Sequence, residues 1–390
     1  MPAKLALYSA VGAVLTHYDV DVDAAELHER TSITLPAKVQ YAWRHPRLPI
    51  LYCTVSDGGP RVPSGNNQVV ALDIAADGTL RRRGTAAELP RRAVHMCVDP
   101  AGRHVINAHN YDGGSLSLHR LDAEGSLGGL QVQSPRLNYG IYPHQVRVFP
   151  SGRTVLIVDR GNKAQAGKPE DPGALRTFPM EDGMLAAGQA IAPDGGYGFG
   201  PRHVDFHPGR PWIYVSDERM NRLYMFRYSD GDRIDSLPAY TRDTLADPEN
   251  VRPRQIGGPI HVHPAGRAVY VANRADHTVE HHGEQVFGGG ENNVAVYAID
   301  PQTGEPRLAQ HAETHSFHVR TFACDPDGRL LVTASIKALN VVDGGELQTV
   351  PAALSVFRVA DDGCLSFVRK VDVATQGSQL QYWMGMVRVG

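Results

Sequence analysis

Short runs in which apolar and polar residues alternate recur along the whole chain. Residues 222–228, 293–299 and 354–359 show this period-2 pattern, which predicts half-buried β-strands. Other runs, such as residues 154–158 and 212–215, are almost continuously apolar and rich in β-branched or aromatic side chains. Glycine-containing turns separate the runs, so the pattern predicts a chain made of β-hairpins.

A turn phrase of the form proline-x-glycine-arginine recurs between these runs. Its full copies contain Pro100, Pro150, Pro264 and Pro326, and looser copies contain Pro46 and Pro208. From proline to proline the steps are 54, 50, 58, 56 and 62 residues. A repeating unit of about 50 residues, made of strand, tight turn and strand, is typical of a β-propeller blade.

Six marked hairpins predict six blades, and the two chain ends supply a seventh. Residues 381–387 form a strand pattern with no successor, and the run from Leu5 has no marked hairpin before it. Pairing the two would close the ring and remove its exposed edges. We predict an all-β, seven-bladed β-propeller with four-stranded antiparallel blades, closed by the N- and C-terminal strands in one blade.

The whole chain, residues 1–390, is predicted to be one propeller domain. Its predicted blades are 4–36 with 378–390, 37–89, 90–138, 139–193, 194–253, 254–311 and 312–377. Residues 161–172 and 274–292 are predicted insertions that form loops over one face.

The composition is that of an ordinary soluble globular protein, with a net charge of −3 and 21% charged residues. There is no basic excess to indicate a nucleic-acid partner, and no apolar stretch reaches membrane-spanning length. The apolar start after Lys4 lacks a clear cleavage site, so we interpret it as strands of the first blade. We expect a cytoplasmic monomer or small homo-oligomer that has neither a membrane nor a nucleic-acid partner.

The four cysteines form no closely spaced pair. Cys53, Cys97 and Cys324 lie within apolar runs and are predicted to be buried free thiols. His261 and His263 fall on the same face of an extended strand, but no spacing in the chain matches a familiar zinc or iron site. We therefore predict no metal and no cofactor.

Hairpin geometry brings polar residues to one end of the predicted channel. A residue six positions before a turn proline lies roughly opposite one that is nine or ten positions after it, away from the turn. The first set is His144, Arg202 and Arg320, and the second is Asn110, Asp159, Glu218 and Arg274. Their neighbours on the same rim are His203, His261, Asn273 and His318. Since inner strands line a propeller channel, these residues are expected to meet at one mouth.

Each of these residues also has a plain structural explanation. Arginines at strand ends are often salt-bridged at the surface, histidines are often structural, and Asp159 or Glu218 could cap a loop. The variety of side chains favours a site, because repeat architecture alone would place the same residue in every blade. Converging charges also shift pKa values, which catalysis uses.

Several motifs resemble the seven-bladed lactonase family. They are Gly200-Pro201-Arg202-His203 with His207-Pro208, Val215-Ser216-Asp217-Glu218, and Val271-Ala272-Asn273-Arg274. The family includes bacterial propeller-type 6-phosphogluconolactonases and fungal 3-carboxy-cis,cis-muconate lactonizing enzymes. The resemblance implies that His144, Arg202, Glu218 and Arg274 form the active-site set. One departure is Asp217, where the family usually has asparagine.

These residues predict a lactone hydrolase that acts on a sugar-acid or related carboxylate-bearing lactone. A neutral His144 could act as a general base near pH 7. Arg202 and Arg274 could stabilise an oxyanion or bind a carboxylate or phosphate of the substrate. Glu218 would orient an arginine or shuttle a proton. The substrate-binding residues are predicted to be His203, Asn110, Asp159, Asn273, His261, His318 and Arg320.

Two other functions remain open from the sequence. A cycloisomerase acting on an unsaturated dicarboxylic acid would use the same cationic cradle and deliver a proton to carbon. A non-catalytic propeller would bind a ligand or a protein, although the chain lacks the repeated Trp-Asp pattern of interaction propellers.

Overall fold

The computed structural model describes residues 4–59, 62–111, 113–134 and 136–390. Over these ranges the strands form seven antiparallel sheets, arranged as blades, and two small separate hairpins. Each innermost strand lies against the innermost strands of both neighbouring blades, so these strands form a closed ring. The predicted all-β, seven-bladed propeller is confirmed.

Blade 1 joins the two ends of the chain. It contains β1 (Lys4–Val11), β2 (Val14–Asp21), β3 (Glu26–Thr34) and, innermost, β34 (Gln381–Val389). Strand β1 pairs antiparallel with both β2 and β34, and Leu7 lies opposite Met386. Backbone hydrogen bonds inside one sheet therefore close the ring, as predicted.

Blades 2 to 5 follow in chain order, each from its innermost strand outwards. Blade 2 contains β4 (Lys38–Arg44), β5 (Ile50–Ser56), β6 (Asn67–Ile74) and β7 (Leu80–Glu88). Blade 3 contains β8 (His95–Val98), β9 (His104–His109), β10 (Ser115–Leu121) and β11 (Leu127–Gln131). Blade 4 contains β12 (Pro143–Val148), β13 (Thr154–Asp159), β14 (Ala174–Glu181), β15 (Met184–Leu185) and β16 (Ala190–Ile191). Blade 5 contains β17 (Pro201–Phe206), β18 (Trp212–Asp217), β19 (Arg222–Ser229), β20 (Arg233–Ile234) and β21 (Tyr240–Asp243).

In blades 4 and 5 the fourth strand is divided into two short pieces. Strands β15 and β16 both pair with β14, and β20 and β21 both pair with β19. A turn of 3-10 helix at Pro193–Gly196 leads from blade 4 to blade 5.

Blades 6 and 7 each carry an extra hairpin. Blade 6 contains β22 (Ile256–Val262), β23 (Ala268–Arg274), β26 (Asn293–Ile299) and β27 (Pro306–Glu313), with the hairpin β24 (Thr278–His281) and β25 (Glu284–Phe287). Blade 7 contains β28 (Val319–Cys324), β29 (Leu330–Ser335), β32 (Ala352–Val359) and β33 (Leu365–Val373), with the hairpin β30 (Leu339–Asp343) and β31 (Glu346–Val350). The first hairpin lies in the insertion predicted at 274–292, whereas the second was not predicted.

The hydrophobic core is divided among the blade interfaces. Over the described residues, buried apolar side chains form seven clusters, each drawn from two neighbouring blades. Between blades 5 and 6, for example, Tyr214 and Met225 share a cluster with Val269 and Tyr297. Burying one such side chain stabilises the fold by about 1.5–3 kcal/mol. This packing fixes the blades relative to one another, and with them the channel side chains.

The Pro-x-Gly turns lie at one end of the channel, which we call the turn face. His45, His207 and His263 each hydrogen-bond through Nε2 with a turn-glycine carbonyl of the next blade, that of Gly102, Gly266 and Gly328 respectively. Gly102 has a φ of +69°, and a Cβ there would lie 2.5 Å from the His45 ring, so this position requires glycine. His263 therefore has a structural role.

The described parts of the chain contain no helix that is both long and apolar enough to cross a bilayer. All four cysteines are unpaired. Cys53 and Cys97 are buried as predicted, but Cys324 is partly exposed because it ends β28 beside the turn.

Candidate active site

In four blades, a β-bulge in the inner strand turns one polar side chain into the channel. The strand register shifts at Gln40, His144, Arg202 and Arg320, which lie in four different blades. A bulge leaves its extra residue unpaired and re-aims the side chain. All four residues lie six positions before their turn proline, at the end of the channel opposite the turn face, which we call the channel mouth.

The second strands supply the facing residues. Arg160 and Glu218 directly follow β13 and β18, and Arg274 is the last residue of β23. Each lies ten positions after its turn proline.

The carboxylate of Glu218 lies between three guanidinium groups. Its Oε1 accepts a hydrogen bond from Arg160 Nη1 at 2.5 Å. Its Oε2 lies 3.0 Å from Arg202 Nε and 3.0 Å from Arg274 Nη2. The arginines come from blades 4, 5 and 6, so a single acidic side chain connects three blades.

Electrostatics keep this Glu218 cluster ionised. Burial alone would raise the pKa of Glu218, but Arg160, Arg274 and Arg202 hold it well below its usual range. Burial lowers the pKa of Arg274 to about 10, and burial with the charge of Arg274 lowers that of Arg202. Guanidinium groups nevertheless stay protonated at neutral pH. The cluster therefore carries three positive charges and one negative charge.

Three histidines continue from the mouth into the channel. The ring centroids of His144 and His203 are 5.2 Å apart, and those of His203 and His95 are 5.6 Å apart. Arg202 Nη1 donates to His203 Nδ1 at 3.2 Å, so the proton of neutral His203 is on Nε2. Burial and the charge of Arg202 hold the pKa of His144 and His203 well below the usual range, so both rings are neutral at pH 7.

His318 connects Arg274 to a buried acid. Arg274 Nη1 donates to His318 Nε2 at 3.2 Å, which places the imidazole proton on Nδ1, 3.6 Å from Asp276 Oδ1. Burial and the charge of Arg274 lower the pKa of His318 to about 4. The backbone of His318 has a φ of +56°, a strained value for a non-glycine residue. His318 thus contacts one terminal nitrogen of Arg274, and Glu218 contacts the other.

The remaining mouth residues come from blades 7, 1, 2 and 3. The Arg320 guanidinium lies 5.7 Å from the ring centre of Tyr382. Arg92, in the connection before β8, donates from Nε to Gln40 Oε1 at 2.7 Å. Arg320 occupies the same bulge position as His144 and Arg202, six residues before its turn proline, which places it in the same mouth.

Two predicted substrate-binding residues are fully buried and occupied by loop contacts. Asp159 accepts hydrogen bonds from the backbone amides of Tyr142 and Gly161 and pairs with Arg176. Asn273 donates its side-chain amide to Thr244 O and Asn293 Oδ1. Successive strand residues face opposite sides, so the neighbours of Arg160 and Arg274 point away from the mouth. The structure brings neither residue to the Glu218 cluster, and their role in substrate binding stays a prediction.

His261 and Asn110 also lie apart from the Glu218 cluster. His261 Nδ1 is 3.5 Å from Asp205 Oδ2, and its ring packs on Phe322, nearer the turn face. It lines the channel but not the mouth, because it lies three positions nearer its turn proline than the bulge residues lie to theirs. Asn110 is buried at the end of β9 with Nδ2 unpartnered, and its predicted role stays a prediction.

Sequence reasoning missed Arg160 and Arg92. Arg160 lies at the strict tenth position after its proline, the same spacing as Glu218 and Arg274, and its guanidinium also stacks 3.9 Å from the Tyr142 ring centre. A rule that accepted only the tenth position after the turn proline would have selected Arg160 instead of Asp159. Arg92 comes from a connection between blades, for which the turn phrase gives no register.

Metal ligation has no support in the described residues. No group of three or more His, Cys, Asp or Glu side chains in those ranges is arranged to hold an ion.

Acidification below pH 6.5 is expected to destabilise the protein steeply through the channel histidines. The pKa of His95, His144 and His203 lies well below the unfolded value of about 6.5 because of burial. As pH falls below that value, these histidines become protonated in the unfolded chain but stay neutral in the folded protein. The free energy of unfolding therefore decreases. Each histidine contributes up to about 1.4 kcal/mol per pH unit to the decrease in the free energy of unfolding. Urea unfolding at pH 8, 7, 6 and 5 measures it.

The variant His95→Gln provides the control for this pH dependence. It removes one titrating group, so the free energy of unfolding should fall less steeply between pH 6.5 and 5 than in the parent, whatever its absolute value. Equal slopes would contradict a neutral, buried His95.

Comparison with known proteins identifies a family whose model matches most of this chain. The family model described as "Lactonase, 7-bladed beta-propeller" matches residues 5–343 of this chain. The matched range contains His144 and all members of the Glu218 cluster.

Individual relatives share low sequence identity with this chain, but the similarity covers most of both proteins. The 6-phosphogluconolactonase of Bacillus subtilis is 26% identical over 278 residues, 67% of this chain and 70% of that protein. The 6-phosphogluconolactonase of Yersinia enterocolitica is 25% identical over 339 residues, 83% of this chain and 87% of that protein. Among solved structures, the periplasmic gluconolactonase PpgL of Pseudomonas aeruginosa is similar with a TM-score of 0.72 at 17% identity, covering 100% of both chains. That last likeness concerns the fold alone.

Proposed function

Because this chain belongs to the seven-bladed β-propeller lactonase family, we propose that it hydrolyses a lactone that carries a negatively charged group. Family membership confirms the predicted enzyme class, a lactone hydrolase. The observation that carries the proposed substrate class is the excess of arginines around Glu218 beside the neutral His144. The first candidate is 6-phosphogluconolactone, the substrate implied by the names of both bacterial relatives.

Arg202 and Arg274 act on the reacting carbonyl in this proposal. Water attack on a lactone carbonyl develops negative charge on its oxygen, and fixed donors stabilise that charge in a desolvated site. Both guanidinium groups are almost completely buried and are held in place by Glu218, so little reorganisation is needed. Removing one such donor typically costs about 2–4 kcal/mol of transition-state stabilisation.

His144 is the proposed general base. It takes a proton from water as the water oxygen bonds to the carbonyl carbon. The tetrahedral intermediate then collapses, the ring carbon–oxygen bond breaks, and protonated His144 returns the proton to the leaving alkoxide. The depressed pKa of His144 keeps the basic form present at neutral pH.

Glu218 positions the arginines in this mechanism. Its pKa lies well below the neutral range, so the carboxylate holds no proton to donate, and the proton-shuttle role considered for it is not part of the proposal. His203 and His318, which accept hydrogen bonds from Arg202 and Arg274, orient the same groups.

A substrate panel tests the proposed function. Purified protein is assayed with 6-phosphogluconolactone, glucono-δ-lactone and cis,cis-muconate derivatives, with product and released acid followed directly. We expect ring opening of the anionic lactone at a rate well above spontaneous hydrolysis. Turnover of muconates alone would replace hydrolysis with cycloisomerisation, and turnover of nothing would favour a binding propeller.

We also propose that the protein acts in the cytoplasm, as a monomer or small homo-oligomer without nucleic-acid or membrane partners, in carbohydrate metabolism. The unpaired cysteines, with Cys53 and Cys97 buried, are compatible with a reducing compartment. Cell fractionation and light scattering test the location and the oligomeric state.

A further inference from the structure

One half of the channel mouth is not used by the proposed hydrolysis. Blades 4, 5 and 6 supply His144 and the Glu218 cluster. Blades 7, 1, 2 and 3 supply Arg320, Tyr382, Gln40 and Arg92 instead.

The two arginines of this second half are oriented by contacts that leave terminal N–H groups available as hydrogen-bond donors. The amide Nε2 of Gln40 donates a hydrogen bond to Lys38 O at 3.0 Å, which fixes the orientation of the side chain. Its Oε1 therefore faces Arg92 and accepts a hydrogen bond from Nε at 2.7 Å. That contact fixes the Arg92 fork and leaves its two terminal nitrogens without a hydrogen bond in the described structure. Arg320 stands over the Tyr382 ring, which supports the guanidinium without neutralising it.

The charge of this half is uncompensated. Among the described residues, neither Arg92 nor Arg320 forms an ion pair, whereas Arg160, Arg202 and Arg274 share Glu218. Arg92 is only 4% exposed, and its pKa is lowered to about 10 by burial and by Arg320. Burying a cation without a partner is costly, and proteins retain such costs mainly at functional sites.

We infer that Arg92 and Arg320, with Gln40 and Tyr382, form an anion subsite that binds a remote phosphate monoester of the substrate. A phosphate dianion matches two guanidinium charges and offers three acceptor oxygens to their donors. The inference rests on the proposed function. In it, Arg202 and Arg274 act on the lactone carbonyl, whereas Arg92 and Arg320 recognise the phosphate. It makes these two arginines the residues that distinguish a phosphorylated lactone from an uncharged one.

The test compares two lactones that differ only in the phosphate. The parent, Arg320→Gln and Arg92→Gln are assayed with 6-phosphogluconolactone and with glucono-δ-lactone. Each variant should raise KM for the phosphorylated lactone about 10- to 100-fold, as expected for the loss of a charged hydrogen-bonding partner. Values of kcat on both lactones, and KM for the uncharged one, should change little. Arg222→Gln, an exposed arginine of β19 paired with Asp243, is the matched control and should behave as the parent.

The outcomes separate the subsite from the proposed function. Equal losses on both lactones, or no loss on either, would overturn the subsite while hydrolysis stands. If the parent opens neither lactone, hydrolysis is overturned, and calorimetric binding of inorganic phosphate decides the subsite. Binding at least about 10-fold weaker to Arg320→Gln than to the parent would support it, and equal binding would overturn it. Arg320 is partly exposed, so its variant should fold even if that of buried Arg92 does not.

Discussion

Replacing Glu218 by glutamine is expected to lower the free energy of unfolding by about 3–5 kcal/mol, since removing one partner of a buried ion pair leaves charge uncompensated. In this case three guanidinium groups lose their shared carboxylate and repel one another across blades 4, 5 and 6. Because Arg202 and Arg274 would also lose their orientation, kcat/KM should fall about 10²- to 10³-fold. Urea unfolding and initial rates measure the two effects.

The matched control is Glu305→Gln. Glu305 also lies between two arginines, Arg242 and Arg307, but it is on the surface at the outer part of blade 6. An exposed pair of this kind contributes up to about 1 kcal/mol, and activity should be unchanged. Similar losses in the two variants would mean that the Glu218 cluster has no special role.

Replacing His144 by glutamine is expected to lower kcat about 10²- to 10⁴-fold, the usual contribution of a general base. The stability loss should be modest, because His144 makes no hydrogen bond within the described structure and one of its nitrogens, Nδ1, is buried without a partner. The fall should appear in kcat more than in KM, since the base acts on water in the transition state. Steady-state kinetics with 6-phosphogluconolactone measure it.

His119→Gln is the control for this substitution. His119 is similarly buried, in β10 on an outer part of blade 3, and its pKa is also lowered by burial. This variant reports the cost of placing glutamine at a buried histidine, and it should retain full activity. An unchanged kcat in His144→Gln would exclude His144 as the base.

The position of the proposed catalytic residues was predictable to the extent that the hairpins repeat. The turn phrase fixed where each strand pair begins, so counting six residues back located His144 and Arg202. The β-bulge that turns these side chains inwards was not predictable, because a bulge depends on pairing with the second strand.

A one-residue ambiguity produced the clearest difference between the predicted and the observed channel mouth. Asp159 and Arg160 are adjacent, and consecutive strand residues face opposite sides, so allowing nine or ten positions selected the loop-capping acid instead of the mouth arginine. Asn273 was selected only as the neighbour of Arg274, and its side chain also faces away from the mouth. The hairpin β30–β31 was also missed, although Gly344-Gly345 between two alternating runs is a hairpin signal.

The spacing of turns and strands, a property local to each hairpin, was enough to determine the blade repeat, the closure of the ring and the end of the channel where His144, Arg202, Glu218 and Arg274 gather. Tertiary structure alone decided which charges meet. It placed three arginines around Glu218, brought Arg92 into the mouth from a connection between blades, and left Arg320 without a carboxylate partner among the described residues. Contacts between blades depend on how seven sheets pack around an axis, and no local sequence pattern records those angles and distances.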